Sequence, residues 1–231
     1  KWGCFDYSQQ EPRLVVHYAA STEPMCNDNS VVEIVKKFNE GNVDFHQTVA
    51  DMANISRTQA KTINLGLFYG MGKAKLQAEL GLGTKQEAED LFNQYHESVP
   101  FVKELMGSTQ NYASKSGSIG TLLGRRCRFN KWEPKAFGMH KPLDFGEATS
   151  LYRQEHIRRA FTYKALNKLI QGSAADMTKK AMLDLYKEGI IPHIQIHDEL
   201  DISVKNQEEA KRIIDIMENA VSLKVPNKVD Y

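Results

Sequence analysis

Two aspartates that lie far apart in the chain are the first residues whose setting could support chemistry. Asp6 follows a short apolar stretch, and Asp198 separates the apolar run at 190–196 from the alternating run at 200–204. Both runs are typical of β-strands, so each carboxylate is expected to project from a sheet edge. Two such carboxylates can hold hard divalent cations such as Mg²⁺. Acidic residues are also common in turns for structural reasons alone, and the pair by itself leaves both interpretations open.

A second pattern places two cations and two apolar side chains at every fourth position of one predicted helix. These residues are Arg57, Lys61, Leu65 and Tyr69, and Ser56 is a suitable N-cap for the helix. Positions four apart drift by about 40° around a helix, so the four share one broad face. Cations near the positive end of a helix favour phosphate binding, and the apolar pair could contact a base or sugar. A solvated basic stripe beside core residues is the alternative.

Two amides on a later predicted helix form a third pattern. Asn167 and Gln171 lie four residues apart, and Gly172 and the small residues 173–175 follow them. Amides on one helix face can donate hydrogen bonds to acceptors in the minor groove of a duplex. Ordinary surface polarity gives the same pattern, so the two interpretations stay open here as well.

The composition is that of an ordinary globular protein. The 231 residues are 41% hydrophobic and 26% charged, and no apolar run reaches the roughly 18 residues that a membrane helix needs. Three cysteines (Cys4, Cys26 and Cys127) without metal-type spacing argue against a disulfide framework and favour a reducing cytoplasm. Residues 111–170 hold twelve Lys or Arg and four Asp or Glu, although the net charge is only +1. Such a basic surface suggests a polyanionic partner, and a solvated charged face is the alternative.

The order of elements predicts a helix-rich α+β fold with few strands. Apolar alternation predicts strands at 1–8 and 190–204, and a hairpin with loops is expected at 114–143. Ser30 and Thr84 each begin a capping box. Periodicity and breaker residues predict helices at 11–20, 30–39, 44–53, 56–69, 84–99, 145–187 and after Asn206.

Four segments together resemble the motifs of family A DNA polymerases, the DNA polymerase I group, in the right order and at suitable spacing. The segments are 6–13 (DYSQQEPR), 57–70 (RTQAKTINLGLFYG), 167–176 (NKLIQGSAAD) and 195–200 (QIHDEL). They are similar to the first carboxylate motif, the fingers helix, the primer–template helix and the last carboxylate motif of that family. The resemblance covers nearly the whole chain, and its QQEPR variant looks phage-like.

This resemblance implies a polymerase palm, built on a small antiparallel sheet, with a helical fingers subdomain. It divides the chain into palm at 1–30, fingers with the following hairpin and loops at 31–140, and palm again at 141–231. The implied activity is template-directed DNA synthesis in DNA replication, with transfer of dNMP to a primer 3′-hydroxyl and release of pyrophosphate. Primer–template DNA and dNTPs are the implied partners.

The same resemblance implies catalytic roles. Asp6 and Asp198 would hold two Mg²⁺ ions, for which Mn²⁺ could substitute, and the main-chain carbonyl of Tyr7 would add a ligand. Lys61 would protonate or neutralise the leaving group. Glu199 would be auxiliary.

Binding roles follow from the resemblance in the same way. The implied dNTP-binding residues are Arg57, Lys61, Leu65, Tyr69, Glu11 and Gln9. Glu11 would exclude a 2′-hydroxyl by its bulk and by a hydrogen bond to Tyr69. The implied primer- and template-binding residues are Asn167, Gln171, His197, Arg125 and Arg126.

Three features depart from the family pattern. Leu65 stands where the family usually has Phe or Tyr, and Tyr163 stands where many members have Arg. The family's thumb and first palm strands precede the first motif, which here begins at Asp6. We therefore expect a missing N-terminal thumb and palm segment that acts in cis or in trans. Without it, the strand at 1–8 and the hairpin at 190–204 are expected to have an unpaired or uncovered neighbour. A non-catalytic fragment that binds nucleic acid and dNTP and a two-metal nuclease are the alternative functions.

Overall fold

The computed structural model describes residues 1–41, 43–68, 73–136 and 138–231. The described helices are α1 (Gln10–Ala20), α2 (Asn29–Glu40), α3 (Phe45–Ala53), α4 (Arg57–Phe68), α5 (Lys73–Glu79), α6 (Lys85–Ser98), α7 (Pro100–Ser116), α8 (Phe145–Leu151), α9 (Ala165–Lys187) and α10 (Gln207–Glu218). The described strands are β1 (Trp2–Tyr7), β2 (Ser118–Gly120), β3 (Arg126–Arg128), β4 (Trp132–Pro134), β5 (Ile157–Arg159), β6 (Ile194–Ile196), β7 (Glu199–Ser203) and β8 (Val229–Asp230). The predicted helix-rich α+β class is confirmed. Within the described ranges, no helix combines the length and apolar character needed to cross a bilayer.

Four strands form one antiparallel sheet in the order β6-β7-β1-β8. β1 pairs with β7 from Trp2 opposite Ser203 to Asp6 opposite Glu199, and its last two residues also pair with β8. The two ends of the chain therefore meet in one sheet. Among the described residues, β8 pairs only with Asp6 and Tyr7 of β1, so the open edge predicted for the strand at 1–8 is covered only in part. The outer strands are β6 and β8.

Alternation along β1 gives the sheet one buried and one open face. Phe5 and Tyr7 are buried, whereas Cys4 and Asp6 lie on the open face, as the two-residue period of a strand requires. The core behind the sheet includes Leu14 of α1, Met177 of α9, Leu200 of β7 and Ile213 of α10. The acidic side chains are thus displayed on a rigid, well-packed platform.

A buried polar connection ties three helices of the middle region together. Asn64 Nδ2 on α4 lies 3.1 Å from His46 Nδ1 on α3, and Asn64 Oδ1 accepts a 2.5 Å hydrogen bond from the Tyr95 hydroxyl on α6. Burial lowers the pKa of His46 and so favours its neutral form. Because buried polar groups need partners, these contacts fix α4 relative to its neighbours.

The N-caps predicted at Thr84 and Ser56 agree with the structure, whereas the one predicted at Ser30 does not, and helices α5 and α7 were not predicted. Thr84 and Glu87 form the predicted capping box, and Ser56 Oγ accepts a 3.1 Å hydrogen bond from Gln59 N. Helix α2 is capped instead by Asp28, whose side chain accepts from Ser30 N at 2.8 Å. The Ser30 prediction is wrong because Asp28, in extended backbone two residues earlier, already caps the first turn.

The single helix predicted from 145 to 187 is broken in the structure. Helix α8 ends at Leu151, β5 follows, and α9 begins only at Ala165. Strand β5 exists because it pairs with β4, with Trp132 opposite Arg159. Local periodicity cannot report such pairing with a distant segment. The hairpin predicted within 114–143 is β2–β3.

Candidate active site

Four carboxylates gather where β1, the β6–β7 turn and β8 meet. Asp6 is opposite Glu199 on one side and Asp230 on the other, and Asp198 occupies the turn just before Glu199. Partial loss of water and the negative charges of Asp198, Glu199 and Asp230 raise the pKa of Asp6. A bound cation would relieve this repulsion, so the cluster is suited to hold one.

His197 adds a titratable group to the turn. Its backbone is in the left-handed region, with φ of 58°, and its Nδ1 lies 2.9 Å from Asp198 Oδ1. This hydrogen bond to Asp198, together with the charges of Asp198, Glu11 and Asp6, raises the pKa of His197. The imidazole can therefore orient Asp198 and present a positively charged donor beside the carboxylates.

The chain turns from strand to helix at Gln9, which has a left-handed φ of 55°. Just before it, the Tyr7 hydroxyl points into the core and donates a 2.6 Å hydrogen bond to Met217 O. The Gln9 amide donates to Val43 O at 2.6 Å and accepts from Phe45 N at 2.7 Å. The oxygen and the nitrogen of this amide thus both help to position the start of α3. The contact between Gln9 and a dNTP stays a prediction.

Glu11 lies in the first turn of α1 and is buried. Its negative charge helps to raise the pKa of His197, so the two side chains are close enough to interact. The structure thus brings Glu11 to the acidic cluster. Tyr69, its predicted partner, lies outside the described residues.

Helix α4 carries the remaining predicted dNTP-binding residues. Arg57, in its first turn, forms an ion pair with Asp44 at 2.7 Å. Lys61 is exposed one turn later, and Leu65 is half-buried one turn beyond that. Within the described ranges, Arg57 is therefore already engaged, whereas Lys61 faces solvent.

The β2–β3 hairpin is held against α9 beside the predicted minor-groove amides. Arg125 forms an ion pair with Asp176 and donates to Gly172 O at 2.7 Å. Leu123 N donates to the same carboxylate at 3.0 Å. A Cβ at Gly172 would lie 2.5 Å from Thr121 Cγ2, so the glycine permits this close approach.

The predicted DNA contacts lie around this hairpin and α9. Gln171 and Arg126 are exposed, Asn167 is partly exposed, and half of the Arg125 side chain stays accessible despite its ion pair. An open cavity of about 240 Å³ nearby is lined by Arg128, Lys131, Lys164 and Lys168, among others. The basic segment inferred from charge thus forms a basic surface around the hairpin and the start of α9.

Two acidic residues of the open face are missed by the sequence analysis. Asp230 reaches Asp6 only because β8 pairs with β1, and no local signal reveals such a contact. Asp201 lies two residues after Glu199, so strand periodicity alone could have placed it on the same face.

A small sheet that carries the carboxylates and a helical region that carries the cations form the palm and fingers architecture of polymerases. The model of DNA polymerase family A matches residues 2–231, and the chain belongs to that family.

Relatives include viral and bacterial proteins. A DNA-directed DNA polymerase of Pseudomonas phage M6 is 35% identical over 266 aligned positions, which cover 99% of this chain and 37% of the relative. DNA polymerase I of Geobacillus stearothermophilus is 32% identical, with 98% of this chain and 24% of the relative covered. The solved POL domain of Pol1 from M. smegmatis, in complex with DNA primer-template and dNTP, matches with a TM-score of 0.75 and 29% identity. The match covers 99% of this chain and 38% of that one. The chain thus spans between 24% and 38% of the length of these proteins.

Proposed function

We propose that this chain carries the nucleotidyl-transfer centre of a DNA polymerase and acts in template-directed DNA synthesis. The observation that carries the proposal is the pairing of Asp6 with Glu199 across β1 and β7, with Asp198 in the adjoining turn. In the proposed reaction, the primer 3′-oxygen forms a bond to the α-phosphorus of a dNTP. The bond from that phosphorus to pyrophosphate breaks.

The acidic cluster fits divalent cations. Its donors are carboxylate oxygens, which Mg²⁺ and Mn²⁺ prefer. The pKa of Asp6 is raised first by partial burial and then by the neighbouring negative charges, which a cation would offset. Asp6, Asp198 and the main-chain carbonyl of Tyr7 would hold two such ions. When bound, the ions would lower the pKa of the primer 3′-hydroxyl and would stabilise the negative charge on the leaving pyrophosphate.

The chain's own side chains would position the reactants and move one proton. Arg57 and Lys61 would bind the triphosphate along the first turns of α4, and Lys61 would donate a proton to the leaving pyrophosphate. His197 would orient Asp198 and the primer end, while Glu199 would add negative charge beside the cations. The proton of the 3′-hydroxyl would pass to solvent.

Sugar and base recognition would come from α1 and α4. Glu11 would lie under the sugar and exclude a 2′-hydroxyl, and Leu65 would pack against the nucleotide. Its smaller, non-aromatic side chain would give a weaker surface for stacking than the family's usual Phe or Tyr. Tyr69 is the remaining residue that we propose binds the dNTP.

The duplex would lie along the basic surface. Asn167 and Gln171 would contact the minor groove, and Arg125 and Arg126 would contact phosphates. The solved relative in complex with DNA primer-template and dNTP supports this set of partners. We further propose a thumb and palm segment, in cis or in trans, as a partner, because the chain spans only part of its relatives' length. The role in replication and the cytoplasmic location stay predictions.

Single-turnover primer extension by the complete assembly, wild type against Asp198→Asn, tests the proposal. Loss of one carboxylate should lower the chemical rate on the order of 10³-fold, because cation-held charge stabilisation is worth several kcal/mol. The affinities for dNTP and duplex, measured by fluorescence anisotropy, should change little.

Asp90→Asn is the matched control, because Asp90 is an exposed carboxylate on α6. It should extend primers at the wild-type rate. Near-normal extension by Asp198→Asn would contradict the assignment of the centre. Binding without extension by the complete wild-type assembly would favour the non-catalytic alternative.

A further inference from the structure

A second group of metal-ligating side chains lies on the open face of the sheet and shares Glu199 with the acidic cluster. In the β1–β7 register Cys4 is opposite Asp201, and Glu199 lies two residues before Asp201 on the same face of β7. The Cys4 sulfur and one carboxylate oxygen each from Glu199 and Asp201 all lie within 4.8 Å of one another. Among the described residues, no trio that includes Asp6 or Asp198 reaches this spacing.

Asp201 is the residue that indicates an absent partner. The residue is only 6% exposed, and its Oδ1 has no hydrogen-bond donor among the described residues. The side-chain partner of the Asp201 carboxylate is the Cys4 thiol, and this hydrogen bond raises the pKa of Cys4. None of the ion pairs formed by Lys, Arg or His in the described ranges involves Asp201. A buried carboxylate is costly unless it is paired or coordinates a metal. A cation placed between Asp201, Cys4 and Glu199 would supply that pairing.

The donor set decides which cation fits. Mg²⁺ takes oxygen ligands, and a sulfur donor disfavours it. Zn²⁺ accepts Cys sulfur at about 2.3 Å and carboxylate oxygen at about 2.0–2.2 Å in a tetrahedral arrangement. We propose that Cys4, Glu199 and Asp201 bind a zinc-like cation, separate from the Asp6–Asp198 cluster, with water at the fourth position.

Binding at this site involves no redox change. The Cys4 thiol releases its proton to solvent as the sulfur–metal bond forms, and the two carboxylates bind as anions. Three negative ligands then surround a doubly charged ion. Because Glu199 is also the cross-strand partner of Asp6, the ion would lie directly beside the proposed polymerase centre.

Titration of the purified chain with Cd²⁺ tests the site, because a cadmium–thiolate bond has an ultraviolet charge-transfer band. We expect one equivalent of Cd²⁺ to produce the band and Zn²⁺ to displace it. Cys4→Ser, at an exposed position, should abolish the band. Asp201→Asn should weaken Cd²⁺ binding by at least about tenfold, because even the loss of a residue that only hydrogen-bonds to a metal ligand typically lowers metal affinity by that factor. Zn²⁺ should raise the Tm of the wild type and not that of Cys4→Ser.

Two controls separate this site from other thiols and from the polymerase centre. Cys127→Ser removes a partly exposed thiol that lies opposite Ile119, and it should keep the band. Asp198→Asn should keep it as well. A band that survives in Cys4→Ser, a band lost in Cys127→Ser or Asp198→Asn, or displacement by Mg²⁺ as readily as by Zn²⁺ would each overturn the proposal. If circular dichroism shows that Asp201→Asn is unfolded, the result for Cys4→Ser alone decides whether the zinc-like site exists. The cadmium band and the Tm shift do not depend on polymerase activity.

Discussion

Arg57 is held by Asp44, and the same carboxylate caps a neighbouring helix. One Asp44 oxygen accepts a 3.0 Å hydrogen bond from Gln47 N at the start of α3, while the other lies 2.7 Å from the Arg57 guanidinium at the start of α4. Although partial burial favours the neutral acid, these hydrogen bonds and the Arg57 charge lower the pKa of Asp44. The ion pair is half exposed and contributes little stability. It does, however, compete for the cation that we propose binds the dNTP triphosphate.

Replacement of Asp44 separates its two roles. Asp44→Ser keeps a capping oxygen and removes the charge, so the free energy of unfolding should stay within about 0.5 kcal/mol of wild type. Release of Arg57 should tighten dNTP binding by up to about fivefold, the size of an exposed ion pair. Calorimetric titration with dNTP and urea unfolding measure the two effects.

Asp44→Ala is the comparison, since it removes both the cap and the charge. It should lose about 1 kcal/mol of stability and show the same gain in dNTP affinity. Weaker dNTP binding by Asp44→Ser would mean that Asp44 orients Arg57 for the nucleotide and does not compete for it.

Asp176 should make stability depend on pH. Burial favours its neutral form, but the hydrogen bonds from Leu123 N and Arg125 lower its pKa overall. A group whose folded-state pKa is depressed stabilises the fold above its unfolded pKa of about 3.9 and loses this contribution as pH falls through the folded value. Asp176→Asn should therefore cost about 2 kcal/mol at neutral pH and progressively less in acid. Urea unfolding across this pH range tests the idea, and a cost independent of pH would argue against a role for the charge.

Local sequence signals predict the helices and strands that carry the site. The features that were not predicted depend on pairing between distant segments of the chain. The Thr84 capping box and the strands around Asp198 depend on residues close in sequence, and the structure agrees with both predictions. The strand order depends on contacts between chain ends, so Asp230 beside Asp6 could not be predicted. The family motifs predict which residues belong to the site. They do not indicate that both ends of the Gln9 amide form hydrogen bonds within the protein.

Glu11 should control sugar selection if the proposed centre is correct. Glu11→Ala removes a buried side chain beside the acidic cluster and opens space for a 2′-hydroxyl. Discrimination between dATP and ATP in single-turnover extension should fall by about 10- to 100-fold, as expected when a pocket loses a steric contact. Glu11→Gln has nearly the same size and should retain most of the selectivity. An equal loss in both variants would assign selection to the charge, and no loss in either would exclude Glu11 and direct attention to Leu65.

Arg126 offers a test of the basic surface with little risk to the fold, because it is exposed and has no ion pair within the described ranges. Each phosphate that a cation neutralises contributes about −0.9 to the slope of log K against log salt on B-DNA. Arg126→Gln should weaken duplex binding uniformly across sequences and make this slope less negative by about 0.9. Arg212→Gln is the matched control, since Arg212 on α10 pairs with Glu188 at the end of α9, and the slope should not change. Arg125→Gln should also reduce affinity, but with a loss of stability, because Arg125 ties the hairpin to Asp176. If the slope responds to Arg212→Gln and not to Arg126→Gln, the duplex lies against α10 and the hairpin is not its binding surface.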